Sequence, residues 1–243
     1  MMEEKSAPSI VERVVRGLLN ACCFVVFAAG LYYTHAVIYP EQNLPWYRAA
    51  FYLTQWQTRM HGVWCLISIA KMLGARFPSN KTTARIYSVM FDITAIVSAV
   101  FWGMWSKDPR LILPYLKDPV NPWNEYKLWI CHAHHTMPFV AMSVEGMLFP
   151  RSLSVDVWPT LVEPFVVLGI ALFYLSWVFF GVYVLRIWDL PYGFLRVNSN
   201  SALVLRVCGL SLSIVVLVFI LHGLRKLVSR IHANVDVDHP KKD

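Results

Sequence analysis

Apolar residues form six long blocks along the chain, separated by shorter stretches that hold most of the charged residues and many of the prolines. A helix needs about 20 apolar residues to cross the hydrocarbon core of a bilayer. The pattern therefore predicts an all-α fold, a polytopic membrane bundle of about six transmembrane helices. The predicted spans lie near 14–35, 49–73, 84–105, 127–149, 160–186 and 203–224.

These spans predict a single transmembrane domain over residues 1–225, followed by a polar tail over 226–243 that we expect to be disordered. Lysine and arginine are more frequent in the N-terminal tail, the second and fourth connections and the C-terminal tail than in the other connections. The positive-inside rule then predicts that both termini are cytoplasmic. The sequence does not distinguish the endoplasmic reticulum from the plasma membrane.

The composition fits a membrane protein, with 57% hydrophobic and only 15% charged residues. The net charge of +7 comes from residues in the connections, where lysine and arginine contact lipid headgroups. This distribution argues against a nucleic-acid partner, and the expected partners are the bilayer and a lipid substrate. The oligomeric state cannot be read from the sequence.

The second block carries polar side chains on one face of the predicted helix. Thr54, Gln57, Thr58 and His61 follow the spacing i, i+3, i+4, i+7, so they form one stripe. Polar groups inside a span usually face the interior of the bundle. They can serve simply to join helices by hydrogen bonds, but four in register, including a histidine, favour a functional site.

The fourth block carries a histidine cluster. His132, His135 and Thr136 are predicted to share one helix face, and Pro138 follows closely. Proline has no N–H, so it leaves the carbonyl of His134 without its helical partner and predicts a local kink. Three histidines within four residues are difficult to explain by packing alone.

The two polar faces are predicted to lie in the same leaflet. Thr54 lies ~9 Å into its span and His135 ~15 Å into its own, at 1.5 Å per residue, both from the non-cytoplasmic side. A threonine hydroxyl becomes a nucleophile when a neighbouring base removes its proton, and a neutral imidazole is suited to that role. This hypothesis requires no metal and no cofactor.

The chain carries the segments Phe51-Tyr52-Leu53-Thr54 and His132-Ala133-His134-His135-Thr136, together with three further short segments. In this order and spacing they resemble the androgen-induced protein family, which includes the androgen-dependent regulator of tissue factor pathway inhibitor. The resemblance implies a multi-pass hydrolase of fatty acid esters of hydroxy fatty acids, with Thr54 as nucleophile and His135 as its partner. The chain has Gln57 and His61 where the family usually has Asn or Asp and Gln, which leaves substrate preference open. The segments are Phe51-Tyr52-Leu53-Thr54, Phe101-Trp102 with Asp108, Ile112 and Pro114, Pro122-Trp123-Asn124, His132-Ala133-His134-His135-Thr136, and Trp188-Asp189-Leu190-Pro191-Tyr192.

Two other interpretations remain open at this point. The polar stripes could belong to a transporter or a regulatory scaffold, although we find no internal repeat of the kind many transporters show. A haem could bind between His61 and either His132 or His135, although the chain lacks the several histidine boxes of membrane di-iron enzymes. No GxSxG motif is present, so the mechanism of soluble lipases is not expected.

Overall fold

A computed structural model of the protein describes five stretches and several isolated positions in the connections. Some residues of the segments that carry the family resemblance lie outside the described part of the chain: Phe51, Pro114, Pro122-Trp123-Asn124 and Trp188–Pro191. The described residues are 9–41, 52–112, 127–149, 162–186 and 199–238, with Asn43, Pro45, Tyr47, Ala50, Asp118, Val120, Tyr192 and Leu195.

The described residues form helices and contain no strand, which confirms the predicted all-α membrane bundle. All six predicted blocks overlap a helix. The helix over Ile10–Tyr33 continues into a π-helical turn over Thr34–Ile38, and the helix over Val162–Phe179 continues into another over Phe180–Val184. The helices are α1 Ile10–Tyr33, α2 Leu53–Met72, α3 Asn80–Trp105, α4 Leu128–His135, α5 Met137–Leu148, α6 Val162–Phe179 and α7 Asn200–Asp238.

Four of the described helical segments are long and apolar enough to cross a membrane by themselves: Ile10–Glu41, Asn80–Trp105, Val162–Val184 and Ser201–Leu224. The other two predicted spans differ from these for separate reasons. Helix α2 has 20 residues but carries the polar stripe together with Arg59 and Lys71, which lower its mean hydropathy. The fourth predicted span is divided into α4 and α5, so the described residues form seven helices of eight residues or more where we expected about six.

The division between α4 and α5 falls at Thr136 and confirms the predicted kink. Thr136 has a φ of −107°, and Pro138 lies in the first turn of α5, where a missing N–H costs no helical hydrogen bond. The two helices nevertheless remain connected, because the Thr136 N–H donates to the carbonyl of His132 at 3.0 Å. His134 and His135, the residues just before this break, face different helices.

The tail differs from the sequence prediction. Helix α7 continues through Asp238, whereas we expected disorder from residue 226. The physical reason is the absence of a helix breaker, since no proline stands between Pro191 and Pro240.

An aromatic-rich cluster packs the end of the bundle at which α2 begins and α3 ends. Tyr52, Phe101 and Trp105 are buried there with residues of α4 and α6. Leu53 and Trp56 of α2 pack against the same cluster. This core therefore fixes the start of α2 relative to α3, α4 and α6.

Candidate active site

The polar stripe of α2 faces the interior of the bundle, as predicted. Gln57, Thr58 and His61 are each no more than 1% exposed, and Cys65 and Ser68 continue the buried face. Thr54, at the first turn of the helix, is half-buried. The stripe therefore runs from a partly accessible end at Thr54 to a closed interior.

His134 is held between two threonine hydroxyls from two different helices. Its Nδ1 lies 2.9 Å from the Oγ1 of Thr58, and its Nε2 lies 3.0 Å from the Oγ1 of Thr34 at the end of α1. Each hydroxyl also donates to a carbonyl one turn earlier in its own helix, Thr58 to Thr54 and Thr34 to Gly30, both at 2.8 Å. His134 thus ties α1, α2 and α4 together.

The number of hydrogens on His134 and the two threonines limits which hydrogen bonds they can form with one another. A neutral imidazole has one N–H donor and one acceptor nitrogen. Because both ring nitrogens of His134 face a hydroxyl, one threonine must receive the ring N–H, and the other must share its single hydrogen between its helix carbonyl and the ring. Every hydrogen-bonding atom of His134 is therefore engaged within the protein.

A glycine in α1 allows this arrangement. A Cβ atom added at Gly30 would lie 3.2 Å from the Cβ of Ala133 and 3.5 Å from the Cε1 of His134. The first of these distances is tighter than most real Cβ contacts, so α1 approaches α4 this closely because position 30 lacks a side chain. The approach brings Thr34 within hydrogen-bonding distance of His134.

His135 faces α3 instead. Its ring stacks on Phe101, with the ring centroids 3.4 Å apart and the planes 11° from parallel. Its backbone carbonyl accepts a hydrogen bond from the hydroxyl of Ser98. The side chain is 4% exposed, and its Nδ1 has no hydrogen-bond partner in the described part of the chain. His135 therefore keeps a ring nitrogen available for another group.

His132 and Thr136 form a second hydroxyl–imidazole pair on the same side of α4. The Oγ1 of Thr136 lies 3.0 Å from the Nδ1 of His132 and accepts a hydrogen bond from the indole N–H of Trp102, also at 3.0 Å. The predicted shared face of His132, His135 and Thr136 therefore packs against Phe101 and Trp102 of α3. His132 lies on the exposed side of this face.

We expected the polar stripe of α2 to meet the face of α4 that carries His132, His135 and Thr136, but the stripe contacts His134 instead. The imidazole that faces the α2 stripe is that of His134, and among the described residues no hydrogen bond joins Thr54 to His135. The reason is rotational, because adjacent residues of a helix point about 100° apart. His135 stacks on Phe101 of α3, so its neighbour His134 turns toward α1 and α2.

Thr54 and His135 are nevertheless connected through the aromatic cluster. Leu53, the residue before Thr54, packs against this cluster, and Phe101, on which His135 stacks, is one of its buried members. The start of the helix that carries Thr54 and the ring of His135 therefore contact the same core.

The remaining stripe residues contribute buried polar atoms. The Nδ1–H of His61 donates to the carbonyl of Gln57 at 2.9 Å, and the ring packs edge-on against Phe27 of α1. Both amide atoms of Gln57 and the Nε2 of His61 have no hydrogen-bond partner among the described residues. His61 thus faces α1, away from His132.

A buried ion pair between Arg16 and Glu145 is a further polar feature. The Arg16 guanidinium donates to Glu145 at 2.6 Å, and the indole of Trp64 donates to the other carboxylate oxygen at 2.8 Å. Glu145 is only 2% exposed. This cluster joins α1, α2 and α5 at the opposite end of the stripe from Thr54.

The sequence did not predict three features of this region: Thr34, His134 and the pair of Arg16 with Glu145. The available signal for Thr34 was its position four residues after Gly30, a small residue that permits close helix packing. The order of the three histidines gave no signal for His134, because helix rotation decides which one faces α2.

Comparison with known proteins identifies one family. The family model described as FAR-17a/AIG1-like protein matches residues 15–227, which is most of the chain. No curated protein and no solved structure matches the chain.

Proposed function

Because the chain belongs to the FAR-17a/AIG1-like family, we propose that it is an intramembrane hydrolase of lipid esters, with fatty acid esters of hydroxy fatty acids as the substrate class. The observation that carries the proposal is that one membrane bundle holds a half-buried threonine, Thr54, and a histidine with an unpartnered ring nitrogen, His135. These are the groups needed for acyl transfer to a hydroxyl nucleophile.

In this mechanism the Oγ1 of Thr54 attacks the carbonyl carbon of the ester while His135 accepts the hydroxyl proton. The carbonyl oxygen becomes an oxyanion, and its collapse breaks the bond to the alcohol oxygen. His135 returns the proton to that oxygen, which releases the hydroxy fatty acid. Water then attacks the acyl-threonine, again with His135 as base, and releases the second acid.

Exposure favours Thr54 over Thr58 as the nucleophile, and an unused ring nitrogen favours His135 over His134 as the base. Thr58 and His134 are fully buried, and both nitrogens of His134 are occupied by hydroxyls. A substrate carbonyl would have to displace α1 to reach them. Thr54 is half-buried at the start of α2, and the Nδ1 of His135 has no partner among the described residues.

His134 then has a positioning role in this proposal. By accepting and donating to Thr34 and Thr58, it fixes the register of α2 against α1 and α4. The carbonyl of Thr54 receives the Thr58 hydroxyl, so the same network also orients the backbone of the nucleophile. Gln57 and His61 continue the buried polar stripe of α2, and His132 and Thr136 pack against Trp102 of α3.

The proposal is tested by measuring hydrolysis of a branched fatty acid ester by the purified protein in lipid vesicles. We expect turnover by the wild-type chain, loss of turnover in Thr54→Val and His135→Ala, and retained turnover in Thr58→Val. Full activity of Thr54→Val would reject the assignment of the nucleophile. Binding of the ester without any turnover would support the transporter or scaffold interpretation instead.

A further inference from the structure

An exposed arginine lies on the outer side of the helix that carries the polar stripe. Arg59 is six residues from Leu53, the first residue of α2, which places it ~9 Å inside that end of the helix at 1.5 Å per residue. Val63 and Leu66, at positions i+4 and i+7 from Arg59, are 58% and 52% exposed. The three side chains therefore share one face of α2, which is turned toward lipid.

The guanidinium of Arg59 is held against the end of α1 by a histidine. Its Nη2 donates to the Nε2 of His35 at 3.1 Å. A guanidinium can only donate, so the ring hydrogen of His35 is on Nδ1 and the imidazole is neutral. His35 belongs to the π-helical turn Thr34–Ile38, and its ring packs edge-on against Tyr39 with the centroids 5.3 Å apart. Two helices therefore set the position of the charge.

The line of contact between α1 and α2 is fixed on its inner side at the same level. Thr34, the neighbour of His35, lies 3.0 Å from the Nε2 of His134. One turn further along α2, a Cβ added at Gly62 would lie 3.9 Å from the ring of Phe24, so the two helices pack closely there. The outer side of this contact, which holds the arginine, is therefore preorganised.

The positive charge of Arg59 has no acidic partner in the described part of the chain. The contact with His35 is the only hydrogen bond that joins it to the described residues, and none of their ion pairs includes it. A guanidinium has five N–H donors, so most of its donors are available to a ligand. A charge that faces hydrocarbon is costly and is usually paired. An anion bound at this position would provide the pairing.

The surroundings of Arg59 indicate which anion fits. A planar guanidinium matches a carboxylate through two parallel N–H···O bonds. The apolar surface of Val63 and Leu66 continues from it along α2 and suits an alkyl chain. His35 lies six residues before Glu41, the end of its helical segment, and is thus also ~9 Å inside the bundle. This depth favours the carboxylate of a single-chain lipid over a phosphate, which lies at the level of the headgroups.

We propose that Arg59 binds the carboxylate of a long-chain fatty acid whose alkyl chain lies along Val63 and Leu66, and that His35 is the positioning residue for the guanidinium. The site is on the other side of α2 from the buried polar stripe. A fatty acid is also a product of the proposed hydrolysis, but binding at Arg59 does not depend on that reaction.

Equilibrium binding of radiolabelled palmitate to the purified protein in phosphatidylcholine nanodiscs, with protein-free nanodiscs subtracted, tests the site. We expect Arg59→Gln to weaken binding by about 10-fold or more, the scale of a charge-assisted hydrogen bond. Arg59→Lys should recover part of the affinity, because lysine keeps the charge but not the planar fork. His35→Phe keeps a ring beside Tyr39 and should weaken binding less than Arg59→Gln.

A charge-matched control is available at the start of α4. Lys127 is exposed at the N-cap of that helix, so Lys127→Gln removes one positive charge without altering Arg59. We expect it to bind palmitate as wild type does. An affinity of Arg59→Gln within about threefold of wild type, or an equal loss in Lys127→Gln, would overturn the proposal.

Competition on the wild-type protein identifies the bound group and needs no variant. Unlabelled palmitate should displace the label, whereas methyl palmitate, which lacks the charge, and phosphatidic acid, which carries a phosphate, should each compete at least about 10-fold less well. Equal competition by methyl palmitate would show that the chain binds without recognition of its carboxylate. Equal competition by phosphatidic acid would show that a phospholipid headgroup occupies the site. Either result would contradict the proposal.

A palmitate analogue with a photoreactive diazirine in its chain locates the site independently of ester turnover. We expect adducts on the outer face of α2 near Val63 and Leu66 that unlabelled palmitate suppresses. Adducts confined to other helices would place the fatty acid elsewhere and refute the role of Arg59.

Discussion

The hydroxyl of Thr58 lies 2.9 Å from the Nδ1 of His134, at a point where α1, α2 and α4 meet and neither side chain is exposed. This pair has the chemical groups of a nucleophile and its base, yet Thr34 occupies the other ring nitrogen. We interpret it as the internal connection that positions the reactive end of α2. Substitutions of Thr58 and of Thr54 should therefore differ in their effects on stability and on ester turnover.

Valine is nearly isosteric with threonine, so Thr58→Val removes the hydroxyl and leaves a buried nitrogen of His134 without its partner. We expect a loss of about 1–3 kcal/mol in stability, the usual penalty for an unsatisfied buried polar group. The midpoint of thermal unfolding in detergent measures this loss. Ester turnover of the folded fraction should persist.

The matched variant one turn earlier is Thr54→Val, which should have the opposite profile. Its hydroxyl has no hydrogen bond to a described residue, so stability should change little. Turnover should fall by about 10³-fold or more, because nothing replaces the nucleophile. If Thr58→Val abolished turnover without destabilising the protein, the roles of the two threonines would be reversed.

The close approach of α1 to α4 predicts a position-specific effect of adding one methyl group. Gly30→Ala places a Cβ 3.2 Å from that of Ala133, and overpacking of this kind costs about 1–3 kcal/mol. Gly103→Ala is the control, since a Cβ there meets nothing within 4 Å, and alanine stabilises a helix by about 0.5–1 kcal/mol relative to glycine. Equal thermal midpoints for the two variants would contradict the packing that brings Thr34 to His134.

The ion pair between Arg16 and Glu145 should be strongly coupled. Removing one partner leaves the other charge buried, which typically costs about 3–5 kcal/mol. We therefore expect Arg16→Gln and Glu145→Gln each to lower the thermal midpoint markedly, and the double variant to lose less than the sum of both.

An exposed pair provides the contrast. Arg110 and Asp108 lie 2.9 Å apart but are largely exposed, and the Arg110 hydrogen bond lowers the pKa of Asp108. Arg110→Gln should leave the thermal midpoint unchanged. Additive effects of the Arg16 and Glu145 substitutions would show that their contact does not stabilise the bundle.

The predicted topology can be checked at Asn80, which begins the only Asn-X-Thr sequon of the chain and lies exposed at the start of α3. With both termini in the cytosol, this connection is also cytosolic, so Asn80 should carry no glycan. A membrane-impermeant maleimide should label Ser79→Cys only after the membrane is opened, when applied from outside. A glycan on Asn80 would invert the orientation.

The sequence was sufficient to predict the helices and the inward face of α2, because both follow from periodicity. Gln57, Thr58 and His61 repeat at helical spacing in an apolar segment, and no neighbouring helix is needed to infer that they are buried. Pro138 likewise predicted the break in the fourth span, since a proline removes a helical hydrogen bond wherever it stands.

The contacts between helices could not be predicted in the same way. Whether His134 or His135 faces α2 depends on a rotation of about 100°, and the break at Thr136 changes that rotation locally. The hydroxyls of Tyr174 and Tyr192 both accept a hydrogen bond from the N–H of Leu53, which lies more than a hundred positions away from each of them. Such contacts depend on how the spans pack, which no local pattern encodes.

The central claim is that Thr54 becomes covalently acylated during turnover, and mapping of the modified residue tests it most directly. The wild-type protein in lipid vesicles is treated with a fluorophosphonate probe, digested and sequenced by mass spectrometry. We expect one adduct, on Thr54, that is absent from Thr54→Val and from His135→Ala but present in Thr58→Val. An adduct on Thr58 or Thr136, or labelling that survives in Thr54→Val, would contradict the account.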